Sequence, residues 1–101
     1  MGRVQNQVAV VTGAARGLGQ AISYRLAGEG AKLVVGDIDK LGLEATATKI
    51  RDGGGEIVTL VGDITEEETA SQLIKSAITD FGQIDILVNN VGGSRNLKIW
   101  Q

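Results

Sequence analysis

The chain has 101 residues, room for one small domain, with 43% hydrophobic residues, 22% charged residues and a net charge of −2. That is an ordinary globular composition without a basic block, which points away from nucleic acid and from anionic membranes. Cysteine and histidine are both absent, which removes disulfides, thiol nucleophiles, structural zinc and any Ser-His-Asp triad.

No apolar run approaches the roughly 20 residues of a membrane span. Residues 1–6 carry neither a signal-peptide core nor a myristoylation pattern, so the expected compartment is the cytoplasm. Residues 7–12 read as a first strand. Val8-Ala9-Val10-Val11 has no polar interruption, the pattern of a strand buried on both faces of a parallel sheet. Gly13, Gly17 and Gly19 follow, spaced G-x3-G-x-G. They permit a turn that other residues would block and let a ligand approach the backbone. The first helix, residues 17–29, begins there with free N–H groups and its positive dipole end, a site for phosphate. Leu18, Ala21, Ile22, Arg25 and Leu26 recur at helical spacing as its apolar stripe, with the Arg25 stem at the margin; Tyr24 falls off it, and Gly30 suits the C′ position.

Residues 32–36 carry a second strand that ends at Asp37. Asp39 is the N-cap of a second helix, residues 40–52, with Leu43, Ala47 and Ile50 as its buried line and Gly42, Thr46 and Thr48 weakening it. Gly53-Gly54-Gly55 turns the chain into a third strand, residues 56–61, followed by Asp63. Thr65 to Glu68 reads as a capping box with Thr65 as N-cap. The third helix then runs to about Phe81, with Ala70, Leu73, Ile74, Ala77, Ile78 and Phe81 as its apolar face and Gly82 as its stop. Residues 84–88 form a fourth strand, which Asn89-Asn90 ends.

Strands alternating with helices predict an α/β fold: a Rossmann-like parallel sheet, βαβαβαβ, strand order 3-2-1-4, with two helices on one face and one on the other. This is a truncated doubly wound fold, a single partial dinucleotide-binding domain over residues 1–101. The order reverses between strands 1 and 4 and leaves a crevice at their carboxyl ends. The strand exits are Thr12-Gly13, Asp37, Asp63 and Asn89-Asn90. Turn chemistry accounts for any one of them; all of them on one rim around the glycine turn point to a site.

Asp37 is near the spacing at which a carboxylate receives a ribose diol. Its other reading is a capping turn, a role that Asp39 fills better. A charged acceptor gains roughly 1.5–3 kcal/mol per hydroxyl bond, whereas a 2′-phosphate would meet a like charge at a cost of about 4 kcal/mol. Asp37 therefore favours NAD over NADP, and Arg16 could partly offset this by pairing with a phosphate. Asp63 could accept from an adenine amino group with the Ile64 backbone alongside, or close an Asx-turn before Thr65. Asn89 and Asn90 could tie neighbouring strands together or touch the cofactor ribose. Gly92-Gly93 allows backbone close to the ligand, while Ser94, Arg95 and Lys98 fit no pattern and read as solvated loop.

These residues resemble the short-chain dehydrogenase/reductase family. Thr12-Gly13-Ala14-Ala15-Arg16-Gly17-Leu18-Gly19 is similar to the family's TGxxxGxG, Asp37 to its NAD-selecting acidic residue, Asp63 with Ile64 to its adenine-contacting Asp, and Asn89-Asn90-Val91-Gly92 to its NNAG, with Val for Ala. The resemblance implies that Gly13, Ala14, Ala15, Arg16, Gly17, Leu18 and Gly19 bind the pyrophosphate and adenosine. It implies that Asp37 holds the ribose, that Asp63 and Ile64 flank adenine, and that Asn90 and Gly92 lie by the cofactor. The implied activity is hydride transfer between NAD and an alcohol or carbonyl substrate.

The family's chemistry uses a Ser and a Tyr-x3-Lys pair from the later half of a much longer chain. Here the one tyrosine is Tyr24, with Gly28 four residues on, so no residue is assigned as general acid or base and none as a metal ligand. The sequence therefore reads as an amino-terminal piece of an oxidoreductase, inactive alone, whose full-length form is expected to be a homo-oligomer. A stand-alone nucleotide-binding or regulatory module is the other reading. A methyltransferase-like fold also places carboxylates after strands 2 and 3, but wants an acidic residue in or just before the glycine turn, where Val10-Val11-Thr12 stands. On the truncated reading, strand 4 is a bare sheet edge, and Leu97, Ile99 and Trp100 have no assigned partner.

Overall fold

Val8 and Val10 point to one side of their strand and Ala9 and Val11 to the other, and all four are buried. Such a strand needs cover on both faces. The computed structural model, which describes residues 4–63 and 65–90 and the backbone of 97–100, provides it. The elements are β1 (Val8–Thr12), α1 (Gly17–Gly28), β2 (Lys32–Asp37), α2 (Lys40–Asp52), β3 (Ile57–Val61), α3 (Glu67–Phe81), β4 (Ile86–Asn90) and β5 (Leu97–Trp100). The sheet order is β3-β2-β1-β4-β5, and the first four strands are parallel. The parallel order 3-2-1-4 is the expected one.

Two cores sandwich the sheet. On one face Ala9, Val11, Leu33, Val35 and Val88 meet Leu43, Ala47 and Ile50 of α2, with Ile22 and Leu26 of α1 packed alongside. On the other face Val8, Val10 and Val34 meet Leu73 and Ala77 of α3. The single helix on that second face leaves Ile74 and Ile78 of its apolar stripe 37% and 51% exposed.

Several expectations are corrected. The edge of β4 is not bare. β5 pairs with it antiparallel, Asn90 opposite Leu97 and Leu87 opposite Trp100, so the backbone groups of an edge strand find partners. β4 also starts two residues later than expected and includes Asn89 and Asn90. Asp85 marks its entry: its carboxylate accepts from Val8 N at 2.8 Å, and its own amide donates to Val8 O at 2.8 Å.

Of the expected α1 stripe only Ile22 and Leu26 pack on the core; the fully buried residues are Gly19 and Ser23, and Leu18, Ala21 and Arg25 turn outward. Gly19 lies so close to the Gly13 carbonyl that any Cβ there would overlap it. The Ser23 hydroxyl donates back to Gly19 O at 2.8 Å, and this close approach fixes the helix rotation. Nor does Thr65 cap α3. Glu66 is the N-cap, with no side-chain bond, because the Thr65 hydroxyl is spent on Asp63. Asp39 does cap α2, accepting from Gly42 N.

Gly82 closes α3 at φ 80°, whereas Gly28 ends α1 with open space around it. Gly82→Ala is expected to lower stability by about 1 kcal/mol through left-handed strain, and Gly28→Ala to raise it by up to about 1 kcal/mol. Urea unfolding of both variants checks the pair of signs.

Candidate functional site

The apolar run of β1 ends at Thr12, whose hydroxyl is drawn into the neighbouring strand. It accepts from Asn90 N at 2.8 Å and lies 3.2 Å from Asn89 Oδ1. The chain then turns sharply. Gly13 has φ 67° and Gly17 φ 61°, the left-handed region that glycine tolerates. A Cβ at Gly13 would overlap the Asn90 carbonyl, and one at Gly19 the Gly13 carbonyl, while Gly17 faces open space. Two of the glycines thus let backbone lie against backbone, and the third leaves room beyond the chain.

No side chain caps α1, whose N-cap is Arg16. The first ladder bond from its leading end is Gln20 N to Arg16 O at 3.4 Å. The amides of Gly17, Leu18 and Gly19 precede it at the helix's positive end, the donor set that an anion would use. Leu18 is 51% exposed beside them.

Asp37 meets this turn directly. Its Oδ2 accepts from Ala15 N at 3.0 Å and its Oδ1 from Asp39 N at 2.9 Å. Gly13 N donates to Gly36 O at 2.8 Å, and Gly62 N to Asp37 O at 3.0 Å. The exits of β1, β2, β3 and β4 therefore share one rim, at the point where the strand order reverses. Asp63 Oδ1 accepts from the Thr65 hydroxyl at 2.6 Å and from Thr65 N at 3.0 Å. This is the Asx-turn reading of Asp63. Those two donors, the hydroxyl first, hold its carboxyl below its ordinary value.

The family model described as short chain dehydrogenase matches residues 7–100. The chain belongs to that family. Over 97 residues the chain is 37% identical to the CLA biosynthesis dehydrogenase/reductase of Lactiplantibacillus plantarum, covering 96% of itself and 34% of that protein. It matches the crystal structure of carveol dehydrogenase from Mycobacterium avium in complex with NAD at TM-score 0.86 and 34% identity, covering 91% of itself and 38% of that chain. L-Sorbose reductase from Gluconobacter frateurii, complexed with NADPH and L-sorbose, matches at TM-score 0.84 and 33% identity, over 91% and 35% of the two chains. The chain thus spans about a third of the length of the relatives that it matches. Both NAD and NADPH occur among them.

Within the dehydrogenase fold, the rim gathers Gly13, Ala14, Ala15, Arg16, Gly17, Leu18, Gly19, Asp37, Asp63 and Asn90. Ile64 and Gly92 lie outside the described residues, as do Ser94 and Arg95. Tyr24 is not at the rim. It lies in the second half of α1, its ring under the Lys49 ammonium at 4.8 Å. The fit to a dinucleotide rests on the glycine turn, where Gly13 and Gly19 let the backbone pack closely and Gly17 leaves open space beside the leading amides of α1. Sequence reasoning missed Gln20 and Thr46, which reach the same turn from α1 and α2. Thr46 stood out only as a poor helix former.

Gly17→Ala is expected to cost about 1 kcal/mol, from backbone strain alone, and Gly19→Ala about 3 kcal/mol, from overlap with the Gly13 carbonyl; denaturant unfolding checks the order. Thr65→Val is expected to return the Asp63 carboxyl toward its ordinary value, read by NMR titration. A lowered folded value means that the stabilisation is fully present above the carboxyl's unfolded value and disappears as pH falls through the folded one. The parent should therefore lose this local contribution in acid, and Thr65→Val, which keeps only the Thr65 N donor, should have less to lose.

Proposed function

We propose that this chain supplies the NAD-binding half of a short-chain dehydrogenase that transfers a hydride between NAD and an alcohol or carbonyl substrate. The observation that carries the reading is the Ala15 N to Asp37 Oδ2 bond at 3.0 Å, which puts the carboxylate and the glycine turn at one crevice. The amides of Gly17, Leu18 and Gly19 would hold the pyrophosphate, and Arg16 would stand beside it. Asp37 would accept the adenosine ribose hydroxyls. Asp63 and Ile64 would flank adenine, and Asn90 and Gly92 would line the nicotinamide side. The nicotinamide, when bound, supplies the carbon that takes or gives the hydride.

NAD is preferred to NADP because a 2′-phosphate would lie against the Asp37 carboxylate. The 101 residues hold no Tyr-x3-Lys pair, so proton transfer belongs to residues outside them. The chain is then a partial dinucleotide-binding domain, and the complete enzyme is a cytoplasmic homo-oligomer. Among the described residues no helix is long and apolar enough to cross a membrane.

Reading the whole coding frame tests the assignment: a Ser and a Tyr-x3-Lys pair beyond residue 101 are expected, and a frame without them contradicts it. In the product of that frame, Asp37→Ala is expected to weaken NAD binding about tenfold and to narrow the preference over NADP, measured by calorimetric titration of both.

A further inference from the structure

Two residues that weaken α2 as a helix, Gly42 and Thr46, both face the glycine turn. A Cβ at Gly42 would come within 3.0 Å of the Ala15 Cβ and of the Ala15 carbonyl oxygen. The Thr46 side chain is fully buried. Its hydroxyl lies 3.0 Å from Ala14 O and 3.1 Å from Gly42 O, and accepts from Gln20 Nε2 at 3.0 Å. The same Gln20 amide donates to Ala15 O at 3.2 Å. The carbonyls of Ala14 and Ala15 are thus both held back against α2 by side chains.

In a trans peptide the carbonyl and the next N–H point in opposite directions. Holding the Ala14 carbonyl on Thr46 therefore aims the Ala15 N–H the other way, where it meets Asp37. Holding the Ala15 carbonyl on Gln20 turns the Arg16 N–H away from α2. One peptide plane is fastened at both ends, by a hydroxyl behind and a carboxylate in front.

We propose that Thr46 and Gln20 are positioning residues of the dinucleotide site: they set the orientation of the peptides at 14–15 and 15–16 and, through Ala15 N–H, that of the Asp37 carboxylate. Neither side chain touches the ligand. The proposal rests on the NAD-binding reading above.

The test uses the product of the complete reading frame and NAD as the titrant. Thr46→Val keeps the shape and removes the hydroxyl; Gln20→Met removes the second donor outside the core. Each is expected to raise the NAD dissociation constant about three- to tenfold, with Thr46→Ser restoring it to within about twofold of the parent. Ile57→Ala, a core truncation at the far end of the sheet, is the control for lost stability: it is expected to lower the melting temperature and leave the dissociation constant unchanged. Parent-like binding by both Thr46→Val and Gln20→Met overturns the proposal, as does equal weakening by Ile57→Ala. If Thr46→Val does not fold, Gln20→Met decides alone. A parent protein that binds neither NAD nor NADP overturns the NAD-binding reading itself, so the two failures are distinguishable.

Discussion

The Asp37 carboxylate is the joint on which the rim turns. A carboxylate at the end of β2 carries a charge that needs donors, and it finds them in two amides, Ala15 N and Asp39 N. One belongs to the glycine turn and the other to the approach to α2. The glycine turn is thereby locked to the continuous end of β2 and entry to α2, at the carboxyl end of the sheet. The same charge would attract hydroxyl groups and repel a phosphate, so the group that holds the rim together also sets what chemistry it accepts. The glycines serve this joint. Gly13 and Gly19 let β4, the turn and α1 come closer than any side chain would allow.

Periodicity made most of the fold legible. A four-residue apolar run can be a central parallel strand because both its faces are covered, and that of β1 is one. The α2 boundaries, 40–52, and its cap Asp39 follow from short-range chemistry that nothing distant overrides. What stayed hidden depends on tertiary contact. The rotation of α1 is set by Gly19 pressing on Gly13, which outranks the apolar stripe. The entry to β4 is set by Asp85 meeting Val8 on another strand. The start of α3 is set by Asp63 capturing the Thr65 hydroxyl before the helix could use it. β5 is a pairing between sequence neighbours whose alternation is too short to separate from a loop.

The site divides in the same way. Motif residues on the strand exits were readable because the topology brings all such exits to one edge. Thr46 and Gln20 were not, because a threonine and a glutamine in helices have no spacing signal. The one visible clue was negative: α2 keeps Gly42 and Thr46 at positions where better helix formers would serve. Local propensity yields there to the close approach of the turn, and places where a sequence breaks its own local pattern are where function is to be sought.

The account depends most on a dinucleotide lying across the glycine turn with its adenosine ribose at Asp37. Amide chemical-shift mapping during an NAD titration of the product of the whole reading frame tests this most directly. The account predicts that, within the present residues, the largest shifts fall on Ala15, Arg16, Gly17, Leu18 and Gly19 and on the amides of Asp37 to Asp39. Saturating NAD that leaves those amides in place, or that moves only residues at the opposite end of the sheet, would contradict it.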